Sequence, residues 1–195
     1  MTQICLVRHG ETDWNLQGLV QGSTDIPLNE RGYAQAGAAG EYLAQEHWDV
    51  LYASPLSRAY ATAAVIGERI GISTIHSESR LQERHFGEAE GMQVVLRKEF
   101  FRDKAIPGAE TWDEVQARGL EIIEQLVLRH SGARILVVSH GGFIAGLLSV
   151  ISKGEIEPGK PPLKNACMNL LSYDGDWKVE WFNYVSPELE AVTAG

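Results

Sequence analysis

Cysteine is scarce in this chain. Only Cys5 and Cys167 occur, each in an apolar, strand-like context, so no disulfide framework can be drawn. Two buried free thiols suit a reducing compartment, and a cytoplasmic location is expected. Neither thiol has a base beside it in sequence, which argues against cysteine nucleophilic chemistry. Long hydrophobic runs are missing as well. The longest, Phe143 to Ile151, falls well short of the roughly 20 residues that span a bilayer. Met1-Thr2-Gln3 leads straight into an apolar stretch without a basic segment before it, so no secretory leader is expected. Positive charge is in deficit, with 17 Lys and Arg against 26 Asp and Glu and a formal net charge of −9. General nucleic-acid or anionic-membrane binding, which relies on clustered cations, is therefore not expected, although a small positive pocket is still allowed. Closely spaced metal ligands of the H-x-H or H-E-x-x-H kind are absent, and so are repeats and low-complexity tracts.

The remainder is an ordinary globular composition, 44% hydrophobic and 22% charged over 195 residues. That length fits a single domain over 1–195. Apolar runs alternate with helical patterns. Ile4 to Val7 reads as a buried strand, and Gly18 to Leu28 as an irregular loop. Asn29 or a neighbour caps a helix to about Glu46 with Tyr33, Ala36, Ala39 and Leu43 as its inner stripe, and Gly37 and Gly40 mark close packing. A second strand covers Asp49 to Ser54. It is followed by a helix from Pro55 to Gly71, then a short strand from Ile72 to His76.

Val94 to Lys104 reads as a short amphipathic helix, closed by Ile106-Pro107-Gly108, within a cap insertion over about 88–110. Thr111-Trp112-Asp113-Glu114 is a capping box opening a long helix to about His130. Arg134 to Ser139 is another buried strand, with a helix from Gly142. Finally, Asp174-Gly175-Asp176 joins two strands, Ala166 to Tyr173 and Trp177 to Tyr184, into a hairpin. The fold class expected is α/β: a three-layer α/β/α sandwich with a mostly parallel sheet and a C-terminal antiparallel hairpin.

In such sheets ligands gather at the carboxyl ends of the strands, and the chain turns polar at just those points. Arg8 and His9 follow the first strand, Arg58 opens the helix after the second, and His140 follows the Arg134–Ser139 strand. Glu83 lies in a glycine-bounded loop. A single histidine after a strand is ordinarily a hydrogen-bonding core or surface residue. Two of them with matching arginines and a carboxylate suit phosphoryl transfer instead. Guanidiniums fork onto phosphate oxygens and offset the charge that builds there. The second imidazole and the Gly141-Gly142 amides add donors. Neutral His9, its imidazolium disfavoured by Arg8 and Arg58, can attack phosphorus, while Glu83 protonates the leaving oxygen and later takes a proton from water.

Arg8-His9-Gly10-Glu11-Thr12 resembles the R-H-G-E-T signature of the histidine phosphatase superfamily, the cofactor-dependent phosphoglycerate mutase-like clan. Further motifs follow in order: Asn15, then Gln21-Gly22 with Asp25 and Pro27-Leu28, then Ser54-Pro55-Leu56-Ser57-Arg58-Ala59. Glu83 with Phe86-Gly87 and Glu90-Gly91 resembles its E-x-x-F-G-x-x-E-G stretch, and Ser139-His140-Gly141-Gly142 its second histidine motif. The resemblance implies His9 as phosphate acceptor and Glu83 as proton donor. It implies Arg8, Arg58 and His140 as the phosphate pocket, with Asn15, Gln21, Gly22 and Gly141 lining it, and neither metal nor other cofactor. Ala89 departs from the aromatic residue frequent in relatives, and Ala109 stands where a second glycine is usual.

The implied partner is a small phosphorylated metabolite, with sugar phosphates, phosphoglycerates, α-ribazole phosphate and phosphoserine as candidates, acted on by a monomer or homodimer. The leading expectation is a metal-independent phosphomonoesterase. The alternative is a cofactor-dependent phosphoglycerate mutase, which tends to carry extra cations and a longer insertion after the acid. Here the insertion is short, and the charges of Arg84, Arg97, Lys98, Arg102 and Lys104 are balanced by those of Glu88, Glu90, Glu99 and Asp103 to within one. A silent phosphate-sensing module and a metallohydrolase using His9, His140 and Glu83 rank below these. Arg118, His85 and the cluster Trp177, Trp181 and Phe182 are read as structural.

Overall fold

A computed structural model describes residues 1–102 and 104–194; Asp103, counted above among the negative charges of the cap, lies outside the described residues. Six strands form one sheet: β1 (Thr2–Arg8), β2 (Val50–Ala53), β3 (Ile75–Ser77), β4 (Arg134–Ser139), β5 (Met168–Tyr173) and β6 (Trp177–Tyr184). Their spatial order is β3-β2-β4-β1-β5-β6. The first four pair in parallel, while β5 runs antiparallel to β1 and β6 antiparallel to β5. This is the expected mixed α/β sheet with its antiparallel C-terminal pair.

The layers follow from the two-residue alternation of the strands. On β1, Ile4 and Leu6 face a core built with Val115, Ile122, Phe143 and Leu147 of α5 (Trp112–Arg129) and α6 (Gly141–Ile151). Cys5 and Val7 face the opposite core, with Ala39, Leu43, Ala63 and Ile66 of α2 (Glu30–Leu43) and α3 (Ser57–Ile70) and with Leu189 of α7 (Pro187–Ala194). Each fully buried Ile or Leu contributes about 1.5–3 kcal/mol, so the strands read as unbroken apolar runs because both faces are covered. The remaining helices are α1 (Asp13–Leu16), directly after β1, and α4 (Val94–Phe100) in the cap. Among the described residues, no helix is long and apolar enough to cross a membrane.

Most elements fall within a few residues of expectation, and the differences have local causes. Asn29 caps α2 through Gly32 N–H, but Tyr33 is 49% exposed, because the stripe that meets the sheet runs through Gly32, Ala36, Ala39, Gly40 and Leu43. Gly40 packs on Ile66 and Arg69 of α3 as expected of a close contact, whereas Gly37 faces open space apart from the tip of Arg69. β3 starts three residues late. The cap helix is short and inverted: Val95, Leu96 and Phe100 of α4 are exposed while Arg97 is half-buried. Helices α1 and α7 were not legible from periodicity. α1 is a single turn, held by a capping box between Thr12 and Asn15.

Candidate active site

Parallel pairing of β1 with β4 aligns Arg8 with Ser139, and the His9 N–H continues the ladder onto the Ser139 carbonyl at 2.9 Å. The two strand-end histidines are thereby brought side by side, their ring centroids 5.2 Å apart. Gly10 follows without a left-handed backbone. A Cβ there would run into the Gly32 backbone of α2, so this glycine serves protein packing rather than ligand approach.

His9 is almost wholly buried at 2% exposure, and its Nδ1 lies 2.6 Å from the Gly10 carbonyl oxygen. A carbonyl can only accept, so Nδ1 carries the proton and Nε2 keeps its lone pair. Burial, and after it the Arg58 and Arg8 guanidiniums, hold the imidazole well below its ordinary pKa. The direction is the one expected from the neighbouring arginines, but burial is the larger cause. His140, fully buried, bonds Ser54 Oγ through Nε2 at 2.8 Å, and its Nδ1 has no partner among the described residues. Burial and then Arg58 depress it likewise.

Arg58 is the largest fully buried side chain. Its Nη2 donates to the Gly22 carbonyl at 2.7 Å and Nη1 to the Thr24 carbonyl at 2.9 Å. Arg8 Nη1 donates to the Leu163 carbonyl. Burial lowers both guanidinium pKa values from their ordinary range, yet Arg stays cationic. Asn15 Oδ1 takes hydrogen bonds from Thr12 N–H and Asn165 Nδ2. What Asn15 can offer a ligand is therefore its Nδ2 donor pair, and Gln21, whose Oε1 accepts from Thr12 Oγ at 3.0 Å, is turned the same way.

Glu83 is fixed by three backbone amides. Oε2 accepts from Gly142 at 2.9 Å, and Oε1 accepts from Phe143 and Arg84, each at 2.8 Å. The Gly142 amide, which the sequence assigned to the phosphate, therefore holds the carboxylate instead, together with that of Phe143. A Cβ on Gly142 would lie 2.6 Å from Glu83 Oε1, so a larger residue there would displace the carboxylate from this grip. Arg118 donates to the Gln82 carbonyl at 2.9 Å and pairs with Glu110, which anchors the segment leading to Glu83 and fits its structural reading.

A cavity of about 390 Å³ opens at these strand ends. Of the residues singled out in the sequence, Arg8, His9, Asn15, Gln21, Gly22, Arg58, Glu83 and Gly141 line it, while His140 lies beneath, packed on the His9 ring. The walls come from the cap, through Phe86, Val94, Arg97 and Trp112, and from the 158–163 loop. A larger groove of about 900 Å³ beside β6 is lined by exposed charges such as Lys178 and Glu180, which pair with each other. Among the described residues no buried catalytic set converges there.

Three supporting residues were given no role from the sequence. Asn165 donates to the His9 carbonyl and to Asn15 Oδ1, and Thr62 accepts from Gly10 N–H while donating to the Arg58 carbonyl. The third, Glu90, was visible only as part of a motif. Its carboxylate accepts from the amides of Ser23, Thr24 and Phe86, each at 3.0 Å, and from Thr24 Oγ at 2.6 Å. Burial would raise its pKa, but these donors hold it below the ordinary carboxylate value. Gly22 has φ +58°, and a Cβ on it would strike this carboxylate. Glu90 thus ties the cap to the loop whose carbonyls grip Arg58. Of the two departures, Ala89 is buried behind the cavity-lining Val20 and Phe86 without lining the cavity itself, and the left-handed turn residue is Gly108 (φ +71°), not Ala109.

Fold and site together define a doubly covered α/β sheet whose strand ends present paired arginines and histidines to one pocket. Residues 4–184 match the family model of the histidine phosphatase superfamily (branch 1), and the chain belongs to that superfamily. It is 39% identical to an uncharacterized phosphatase, PhoE, of Bacillus subtilis (strain 168), over 94% of this chain and 95% of the relative. It is 36% identical to a metal-independent phosphoserine phosphatase of Arabidopsis thaliana, over 95% of this chain and 83% of that one. Among solved structures, a mycobacterial glucosyl-3-phosphoglycerate phosphatase complexed with VO3 superposes with a TM-score of 0.85 at 28% identity, covering 94% of this chain and 99% of the other.

Proposed function

We propose that this chain is a metal-independent phosphomonoesterase that hydrolyses a small phosphorylated metabolite through a phosphohistidine on His9. The observation that carries this reading is the state of His9. It is neutral, with its Nδ1 proton committed to the Gly10 carbonyl and Nε2 left as a nucleophile in a cavity flanked by Arg8 and Arg58.

The ester phosphate binds between the two guanidiniums, with Asn15, Gln21 and the Gly141 amide as further donors and His140 Nδ1 meeting it from below. His9 Nε2 attacks phosphorus. The P–O bond to the metabolite breaks, and its electrons leave with the oxygen as Glu83 transfers a proton to it. The resulting imidazolium phosphoramidate keeps its Nδ1–H bond to Gly10. Water then attacks the same phosphorus from the vacated side and gives its proton to Glu83. The P–N bond breaks back onto His9, and inorganic phosphate leaves. The two arginines match the charge on the equatorial oxygens in both steps. Among the described residues no three His, Cys, Asp or Glu side chains cluster as a metal site would require, and the guanidiniums supply the cationic charge a metal otherwise brings.

The test is release of p-nitrophenol from its phosphate ester in excess EDTA, with wild type beside His9→Ala. Turnover that survives chelation and vanishes in a variant with an unchanged folding transition is expected. Loss of wild-type turnover in the chelator, or a variant retaining most of its rate, would overturn the proposal.

A further inference from the structure

The cap wall of the cavity holds a cation that the phosphate chemistry above does not use. Arg97 lines the cavity from α4, half-buried. The arginines around it are committed: Arg8 to Leu163, Arg58 to Gly22 and Thr24, Arg84 to the Glu110 carbonyl at 2.7 Å, and Arg118 to Glu110. Lys98, next on the helix, also borders the cavity, but it is exposed and offers a hydrated point charge rather than a planar fork. Lys160, on the facing loop, pairs with Glu157 at 2.8 Å. The Arg97 side chain makes no hydrogen bond or ion pair among the described residues, and its guanidinium lies over the Phe86 ring, 5.2 Å from the ring centre. A half-buried guanidinium with five idle donors sacrifices hydration and gains little for the fold.

The helix that carries it makes the same point. An amphipathic helix kept for stability turns its apolar residues inward. In α4, Val95 is 70%, Leu96 52% and Phe100 66% exposed, while Arg97 faces the pocket beside Val94. Of the carboxylates counted against the cap cations in the sequence, Glu90 is consumed by the Ser23 and Thr24 amides, and Glu110, outside that count, is taken by Arg118. Arg84 lies against the same Phe86 ring, with its centre 5.0 Å away, and adds to the positive field at this wall.

We infer that Arg97 reads a second anionic group of the substrate, a carboxylate, so that the preferred phosphate esters are those of hydroxy acids rather than of neutral alcohols. This rests on the phosphatase reading of the same cavity. A carboxylate is favoured over a second phosphate because the cavity already shows what it assembles for a phosphate: two guanidiniums with convergent amide donors. The cap offers one uncommitted planar fork, which matches one planar monoanion bidentately.

The experiment compares three esters on wild type and Arg97→Gln: 3-phosphoglycerate, glycerol phosphate, which replaces the carboxylate by a hydroxymethyl group, and p-nitrophenyl phosphate. Binding of the first two is also measured calorimetrically in a His9→Ala background, where no turnover intervenes. Wild type should prefer 3-phosphoglycerate to glycerol phosphate. Arg97→Gln should weaken binding and raise KM for 3-phosphoglycerate by about 10- to 100-fold, the worth of one charge-assisted hydrogen-bonded pair. It should leave both other esters within about twofold. Equal losses on all three esters, or no loss on 3-phosphoglycerate, would overturn the inference. Carboxylate discrimination that survives in the binding data while no ester is hydrolysed, or while 3-phosphoglycerate is only isomerised, would uphold Arg97 and overturn the phosphatase reading instead.

Discussion

Glu83 is held by three amide donors, and that grip sets its position against the leaving group without help from a solvent-exposed side chain. Glu83→Gln keeps the volume and part of the grip but has no proton to transfer. Hydrolysis of alkyl phosphates should slow by roughly 10²–10⁴, with a much smaller loss for p-nitrophenyl phosphate, whose leaving oxygen needs little protonation. Steady-state rates on the two ester classes check this, and equal losses would remove Glu83 from the acid role. At this scale the sequence was most informative where chemistry demands a rare residue at a strand end, as for Arg8, His9, Arg58 and His140. It was silent on Asn165 and Thr62, because an amide or hydroxyl that holds another side chain by one hydrogen bond has no periodicity and no motif. Of the Gly141 and Gly142 amides assigned to the phosphate, Gly142 serves the carboxylate, beside Phe143. Only the three-dimensional approach of the Glu83 loop reveals that.

At the scale of elements, the cap and the phosphate loop are one unit because Glu90 bridges them. Removing its charge should loosen residues 22–24, whose carbonyls position Arg58. Glu90→Gln is expected to raise KM for any phosphate ester and the inhibition constant for inorganic phosphate together, by about tenfold, since hydrogen bonds to a charged group contribute about 1.5–3 kcal/mol each. kcat should change less. An unchanged phosphate inhibition constant would mean that the loop holds its shape without this tie. The sheet and its long helices were legible here because buried strands and capped helices write themselves into the sequence. The capping box of Thr111 with Glu114 is observed as read, and Asn29, one of the caps the sequence allowed, is the residue that caps α2. The cap was not. Its helix turns Val95, Leu96 and Phe100 outward, so a periodicity argument that assigns apolar residues to the core points the wrong way.

For the whole molecule, the two site histidines couple stability to pH. His9 and His140 are buried and held neutral, with pKa values well below 6.5, whereas the unfolded chain titrates them near 6.5. Below that pH the unfolded state binds more protons than the folded one, so stability is full above about pH 6.5 and falls as pH drops toward the depressed folded values. Each histidine adds a slope of up to about 1.4 kcal/mol per pH unit in that window. Denaturant titrations between pH 7 and pH 5 should show this loss, and His9→Ala should reduce its slope by about one proton's worth. A slope unchanged in the variant would mean that His9 is charged in the folded protein and is no ready nucleophile.

The most direct measurement is rapid quench into base during turnover of a phosphate ester, followed by peptide mapping by mass spectrometry. A phosphoryl group on His9, stable in base and lost in acid, formed at least as fast as steady-state turnover and absent in His9→Ala, is the predicted result. Turnover with no protein-bound phosphoryl group, or with the group on another residue, would contradict the account.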